Sequence, residues 1–175
     1  MHHKNLSVIL IASALLLVSA GAFCEQFPRL APSAFRELPK SVSVDLEKRG
    51  CVVPQTYTST TPHNVVSGYF EGGKQKDWAV LCSDGKNSAV LVYWGGSTEN
   101  VSALDSMPDK NSMQNIGNGK EGYSRRIKVV PPDKIKKKNP LAQVSHDGLE
   151  IAFIAKGSTI HYFDKGKWSL WLGAD

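Results

Sequence analysis

The residues able to do acid–base or metal chemistry are few and scattered. Beyond the first few positions there are three histidines, His63, His146 and His161. His146 and Asp147 are adjacent and Glu150 follows, which suits a general base with an orienting acid and a further carboxylate, as a hydrolase uses them. The Asp147-Gly148 step reads equally as an ordinary turn. No H-E-x-x-H and no Cys/His zinc spacing occurs, so no metal is expected. No G-x-S-x-G elbow occurs, Ser67 and Ser145 have no partner close in sequence, and Gly95-Gly96-Ser97 lacks the lysine of a phosphate-cradling loop. No cofactor is expected.

Two other groups suit binding better than reaction. Tyr93 and Trp94, and Trp168 and Trp171, sit in runs of strand character. An outward Trp beside Tyr93 or Trp94 makes a platform for a sugar or a protein partner, and the same aromatics are also ordinary core fillers. Lys134, Lys136, Lys137 and Lys138, with Arg125, Arg126 and Lys128 upstream, form a basic cluster in a chain of formal net charge +5. Outside the cytosol its partners are anionic lipids, lipopolysaccharide or acidic glycans and not nucleic acid, although short lysine runs are commonly just solvated.

The compartment follows from the first residues. His2, His3 and Lys4 precede an apolar run from Leu6 to Val18, then Ser19, Ala20, Gly21 and Ala22. The run is shorter than the ~20 residues of a spanning helix. It predicts a signal peptide over residues 1–24, cut after Ala20, Ala22 or Cys24, with lipidation of Cys24 as a minor alternative. The protein is then periplasmic or secreted, with no membrane span after cleavage. A cut after Cys24 leaves Cys51 and Cys82, which an oxidising compartment pairs. No C-x-x-C occurs, so the bond is a staple and not a redox pair.

These residues must be positioned by one domain. The 175 residues are 41% hydrophobic and 21% charged, which suits a single globular unit and excludes a disordered or collagen-like chain. Residues 25–40 carry Pro28, Pro32 and Pro39 and read as a linker or strap, leaving 41–175 as the domain. Leu38, Val42 and Leu46 recur at spacing four, and Gly50 is a helix stop, so a helix is predicted over Pro39–Arg49. Strands are predicted at Val65–Phe70, Trp78–Cys82, Ser88–Trp94, Val101–Met107, Tyr123–Val130, Leu149–Ala155, Ser158–Phe163 and Lys167–Leu172. Pro108–Gly122 is polar, and Tyr123–Val130, with its basic residues, suits an edge or a wet face. Opposite parity puts one of Trp168 and Trp171 inward and the other outward. The predicted fold is α+β, an N-terminal helix packed on one mainly antiparallel sheet of about six to eight strands built of hairpins and a meander.

Two segments echo each other. Gly68 to Tyr93 and Ser145 to Phe163 each run from a glycine loop through an acid (Asp77, Glu150) to an apolar-Ala-apolar strand, a turn and a strand opening with Ser. Gly68, Phe70, Gly72, Gly73, Asp77 and Ala79 resemble the FG-GAP/VCBS type of repeat. That resemblance implies a loop which often holds calcium through several Asp side chains. Here the loop offers Glu71 and Asp77 with Lys74 and Lys76 between them, against the roughly six to eight oxygens a calcium ion takes. Across Arg49–Gln55, Asn64–Phe70, Asp77–Cys82 and His146–Asp175 the chain is also similar to an uncharacterised family of small exported bacterial proteins. The function expected is a non-catalytic binding protein for an unknown protein or glycan. The alternatives are a hydrolase-type enzyme around His146, Asp147 and Glu150, or an inhibitor of a secreted hydrolase probing with Pro108–Gly122.

Overall fold

The computed structural model describes residues 28–172; the predicted leader and Cys24 lie outside the described residues. In chain order come β1 (Arg29–Leu30), α1 (Lys40–Lys48), β2 (Val53–Pro54), β3 (Val65–Gly68), β4 (Asp77–Ser83), β5 (Asn87–Tyr93) and β6 (Val101–Pro108). There follow β7 (Met113–Asn115), β8 (Glu121–Tyr123), β9 (Arg125–Val130), α2 (Pro132–Lys138), β10 (Gly148–Phe153), β11 (Gly157–Asp164) and β12 (Lys167–Leu172).

Every ladder is antiparallel, and the single sheet predicted from sequence is in fact two. One is the meander β3-β4-β5-β6 and the other the meander β9-β10-β11-β12; β1-β2 and β7-β8 are short ribbons. The two sheets face each other because neither can leave its apolar side wet. Ala79, Leu81, Val90, Val92 and Leu104 of the first pack against Ile127, Leu149 and Ile151 of the second, with Phe163 and Trp168 joining them. The echoed segments are the central hairpins β4–β5 and β10–β11 of the two sheets.

Strands apolar on both faces need a second cover. On the outer face of the first sheet, Phe35, Leu38, Val42 and Leu46 pack on Val65, Val80 and Tyr93. Residues 25–40 are thus more than a surface strap where described: Phe35 and Leu38 are core residues. Burying a leucine such as Leu46 contributes about 2–3 kcal/mol. Helix α1 ends where Gly50 takes φ +69°, a conformation costly for a residue with a Cβ. Tyr93 Oη donates to Asp45 at 2.8 Å, tying the helix to β5. Cys51 follows the helix and is bonded to Cys82 of β4, with Cα atoms 5.4 Å apart. On the outer face of the second sheet, Ile135 of α2 packs with Val144 on Val130, Ile160 and Tyr162. The order of layers is helix, sheet, sheet, helix.

Two local readings change. The strand predicted over Tyr123–Val130 breaks at Ser124, whose N–H donates to Ser112 O at 2.8 Å, so Tyr123 belongs to the β7–β8 ribbon and Arg125 opens β9. The polar stretch Pro108–Gly122 is a 3-10 turn at Asp109–Ser112 followed by most of that ribbon. At one corner of the sandwich β3 lies beside β9. The other edge strands, β6 and β12, have no further strand partner among the described residues, and the sandwich opens between them.

Candidate functional site

The opening between β6 and β12 is a groove of about 470 Å³ lined by Ile151, Phe153, Thr159, Leu170, Leu172 and Asp105, with Lys156, Gly157 and Ser158 at its rim. Register explains the lining. Ile151, Thr159 and Leu172 are cross-strand neighbours in one row of the inner face of β10, β11 and β12; Leu149, His161 and Leu170 form the next. The first sheet does not reach over the end of these rows. Leu170 and Leu172 therefore stay 56% and 72% exposed on an inward-pointing face.

The polar end of the groove is built by a bulge. Ser88 pairs with Met107 and Val90 with Leu104, so β6 carries one residue more than β5 between those pairs. Asp105 sits in that bulge with φ +51°. The bulge leaves carbonyl oxygens facing inward, and Arg125, wholly buried, fills the gap. Its Nη2 donates to the Asp105 carbonyl and, at 2.8 Å, to the Asp105 carboxylate. Its Nη1 donates to Ser88 O at 3.3 Å and Ser88 Oγ at 3.2 Å. Tyr123 Oη also donates to Ser88 Oγ, at 3.1 Å. Nearby, Ser83 Oγ donates to Asp109 at 2.6 Å, and Arg29 reaches the same carboxylate oxygen at 3.4 Å.

His161 lies beside this network. Its Nε2 is 3.1 Å from Thr159 Oγ1. Burial lowers its pKa and the Arg125 charge adds to that, against the pull of Asp105. Hydroxyl, imidazole and carboxylate are thus close together, but the Asp105 carboxylate is bonded to Arg125 and no hydrogen bond joins it to His161 among the described residues. A nucleophile–base relay needs the acid on the second imidazole nitrogen. What the groove offers is apolar surface with one carboxylate (Asp105), two hydroxyls (Ser158, Thr159) and the Lys156 ammonium at its edge.

The residues singled out from sequence are dispersed. Tyr93 is buried under α1, and Trp94 is buried in the inter-sheet layer, where it meets Trp168 at 5.6 Å and Phe163 at 4.8 Å between ring centroids. Trp171 alone of the four is exposed. They form no common surface, because β-strand parity sends Tyr93 and Trp94 to opposite faces. His146 donates through Nδ1 to the Asp147 carbonyl, not its carboxylate, which accepts from Tyr69 N–H at 3.0 Å. Glu150 points to another groove, beside Lys128, and accepts from Ser158 Oγ at 2.8 Å. In the glycine loop, Asp77 is wholly buried and its carboxylate accepts from Phe70 N–H, Gly95 N–H and Gln75 Nε2. It holds the loop against the turn after β5. Arg125, placed in the basic cluster from sequence, is inside the sandwich, whereas Lys128 and Lys134–Lys138 include the exposed lysines of the outer face.

Asp105, Leu170 and Leu172 are site residues that sequence reading missed, and the buried place of Arg125 was missed with them. Arg125 shares its parity with Ile127 and Val129, and that was the available signal; nothing local marks Asp105. No protein-family model, no curated protein and no solved structure matches the chain.

Proposed function

We propose that this is an exported, non-catalytic binding protein that takes an extended apolar peptide segment along β12. The observation that carries the reading is the exposed inward face of Leu170 and Leu172 on an edge strand with no further strand partner among the described residues, beside a groove of about 470 Å³. A strand added to β12 satisfies the free backbone groups of that edge. Alternate side chains of the added strand then point to the inner face beside Leu170 and Leu172 and extend that wall of the groove. The β6 edge is unsuited to the same role: its bulge at Asp105 and its terminal Pro108 interrupt a ladder. Export rests on the apolar leader. The disulfide is compatible with a periplasmic or extracellular location, as is the finding that no helix among the described residues is long and apolar enough to cross a membrane.

The test uses peptides selected on the protein from a random heptapeptide library. The selected sequences should alternate apolar and polar residues and should slow amide exchange in β12 on binding. Leu172→Asp should abolish binding while leaving thermal stability unchanged. Binding that leaves β12 exchange unaltered, or that survives Leu170→Asp and Leu172→Asp, overturns the reading. Export is tested by intact mass from the cell envelope, which should begin after Ala20, Ala22 or Cys24.

A further inference from the structure

The outer face of the second sheet carries a second concavity, which meets the β12 groove only at its end, around Phe153, Lys156, Gly157 and Ser158. A cleft of about 330 Å³ between α2 and the sheet is lined by Lys128, Val129, Val130, Lys134, Lys138, Glu150 and Ile160. A second, of about 450 Å³, shares Lys128 and Glu150 with it and runs on past Ala152 and Ile154 to Lys156 and Ser158. Their common walls make them one track.

Its charge is mainly positive, four lysines against Glu150, which lies directly across the β9–β10 ladder from Lys128. Lys134 and Lys138 are one turn apart on the same face of α2, which Ile135 anchors to the sheet. Lys128 comes from β9, and Lys156 from the turn between β10 and β11. No ion pair satisfies any of these four lysines among the described residues. The acid in the track, Glu150, accepts from Ser158 Oγ at 2.8 Å. Like charges at i,i+4 work against a helix, and Lys134 and Lys138 are such a pair. A bound anion turns that repulsion into attraction and releases counterions.

The shape and lining select among anions. A concave, elongated track fits a chain better than a flat surface. Phe153 is the one aromatic lining it, so bases would find little to stack on. We infer that this track binds a linear acidic glycan, a chain of carboxylated or sulfated sugars, with Lys134, Lys138, Lys128 and Lys156 along its length.

The experiment is calorimetric titration of the exported chain with oligogalacturonate and with a heparin-derived oligosaccharide, over a salt series of about 25–300 mM. At least one should bind, more weakly as salt rises. Lys134→Glu/Lys138→Glu should cost at least about tenfold in affinity. Lys136→Glu/Lys137→Glu changes net charge equally but lies outside the track, and should cost less than about threefold. Both double variants alter exposed side chains, and unchanged circular dichroism verifies that they fold. Absence of binding to both glycans overturns the inference, as does equal loss in the two variants. Tighter binding to phosphatidylglycerol vesicles or to single-stranded DNA also overturns it, in favour of a membrane or a nucleic acid.

Discussion

Arg125 donates through a single nitrogen to both the carbonyl and the carboxylate of Asp105, and so plugs the bulge that interrupts the β5–β6 ladder. The pair joins the two sheets, since Arg125 opens β9 and Asp105 lies in β6. Arg125→Met removes the guanidinium and leaves two carbonyls and a carboxylate facing its apolar replacement. The expected cost is about 2–3 kcal/mol, because two carbonyls lose their donor while the Asp105 carboxylate, 30% exposed, can still meet water. Asp105→Asn keeps the carbonyl contact and should cost only about 1–2 kcal/mol. Urea unfolding gives both values, and an Arg125→Met protein as stable as the wild type would remove the bulge-plugging role.

Asn64 plays the corresponding part at the closed corner. Its Nδ2 donates to Pro54 O at 2.7 Å and to Arg125 O at 3.2 Å, while its Oδ1 accepts from Ile127 N–H at 3.0 Å. The carboxamide thus stands where a neighbouring strand's peptide group would. Asn64→Asp is nearly isosteric yet sets carboxylate oxygen against two carbonyls, and should be more destabilising than Asn64→Gly. Glycine loses the bonds but accepts the φ of +72° that asparagine adopts here. Thermal melts that rank the two variants the other way would contradict the hydrogen-bond assignment.

Acid sensitivity should come from two histidines. His63 Nε2 accepts from Thr56 N–H at 2.9 Å, so Nδ1 carries the proton and donates to Thr61 O. Burial lowers the His63 pKa, with a smaller push from Arg126 against the opposing Thr61 bond. Burial lowers that of His161 as well. A depressed histidine pKa means the unfolded chain takes up protons first as pH falls. Stability is therefore full above about pH 6.5 and declines below it, towards the folded pKa values. Melting temperature measured from neutral pH to about pH 5 should fall, and should fall less steeply in His63→Gln. A flat profile over that range would count against the buried neutral imidazoles.

Reduction should be costly. Cys51 and Cys82 are 31 positions apart, and closing such a loop is worth about 3–4 kcal/mol in the chain-entropy treatment. The bond also clips the end of α1 to β4. Cys51→Ser/Cys82→Ser should lower the urea midpoint by a corresponding amount and raise the slope somewhat, since the uncrosslinked unfolded chain exposes more surface. A midpoint equal to that of the oxidised protein would show that the staple adds nothing.

Much of this was legible in the residues. The cysteine pair followed from parity and compartment, the strand runs from their apolar stretches, and the stripe of Leu38, Val42 and Leu46 from its spacing. Such signals are local: period, turn chemistry and count act through neighbours in the chain. The division of eight long strands into two facing sheets was not legible, because strand period says which residues share a face and not which face meets which. The groove is a product of that division, for Leu170 and Leu172 are exposed only because the first sheet ends short of them. Arg125 and Asp105 come together across 20 positions through a bulge whose place depends on how β5 and β6 pair. The sequence by itself determined the strands, the staple and the charges; tertiary packing decided which of those charges is buried and where the sandwich stays open, since both depend on long-range register.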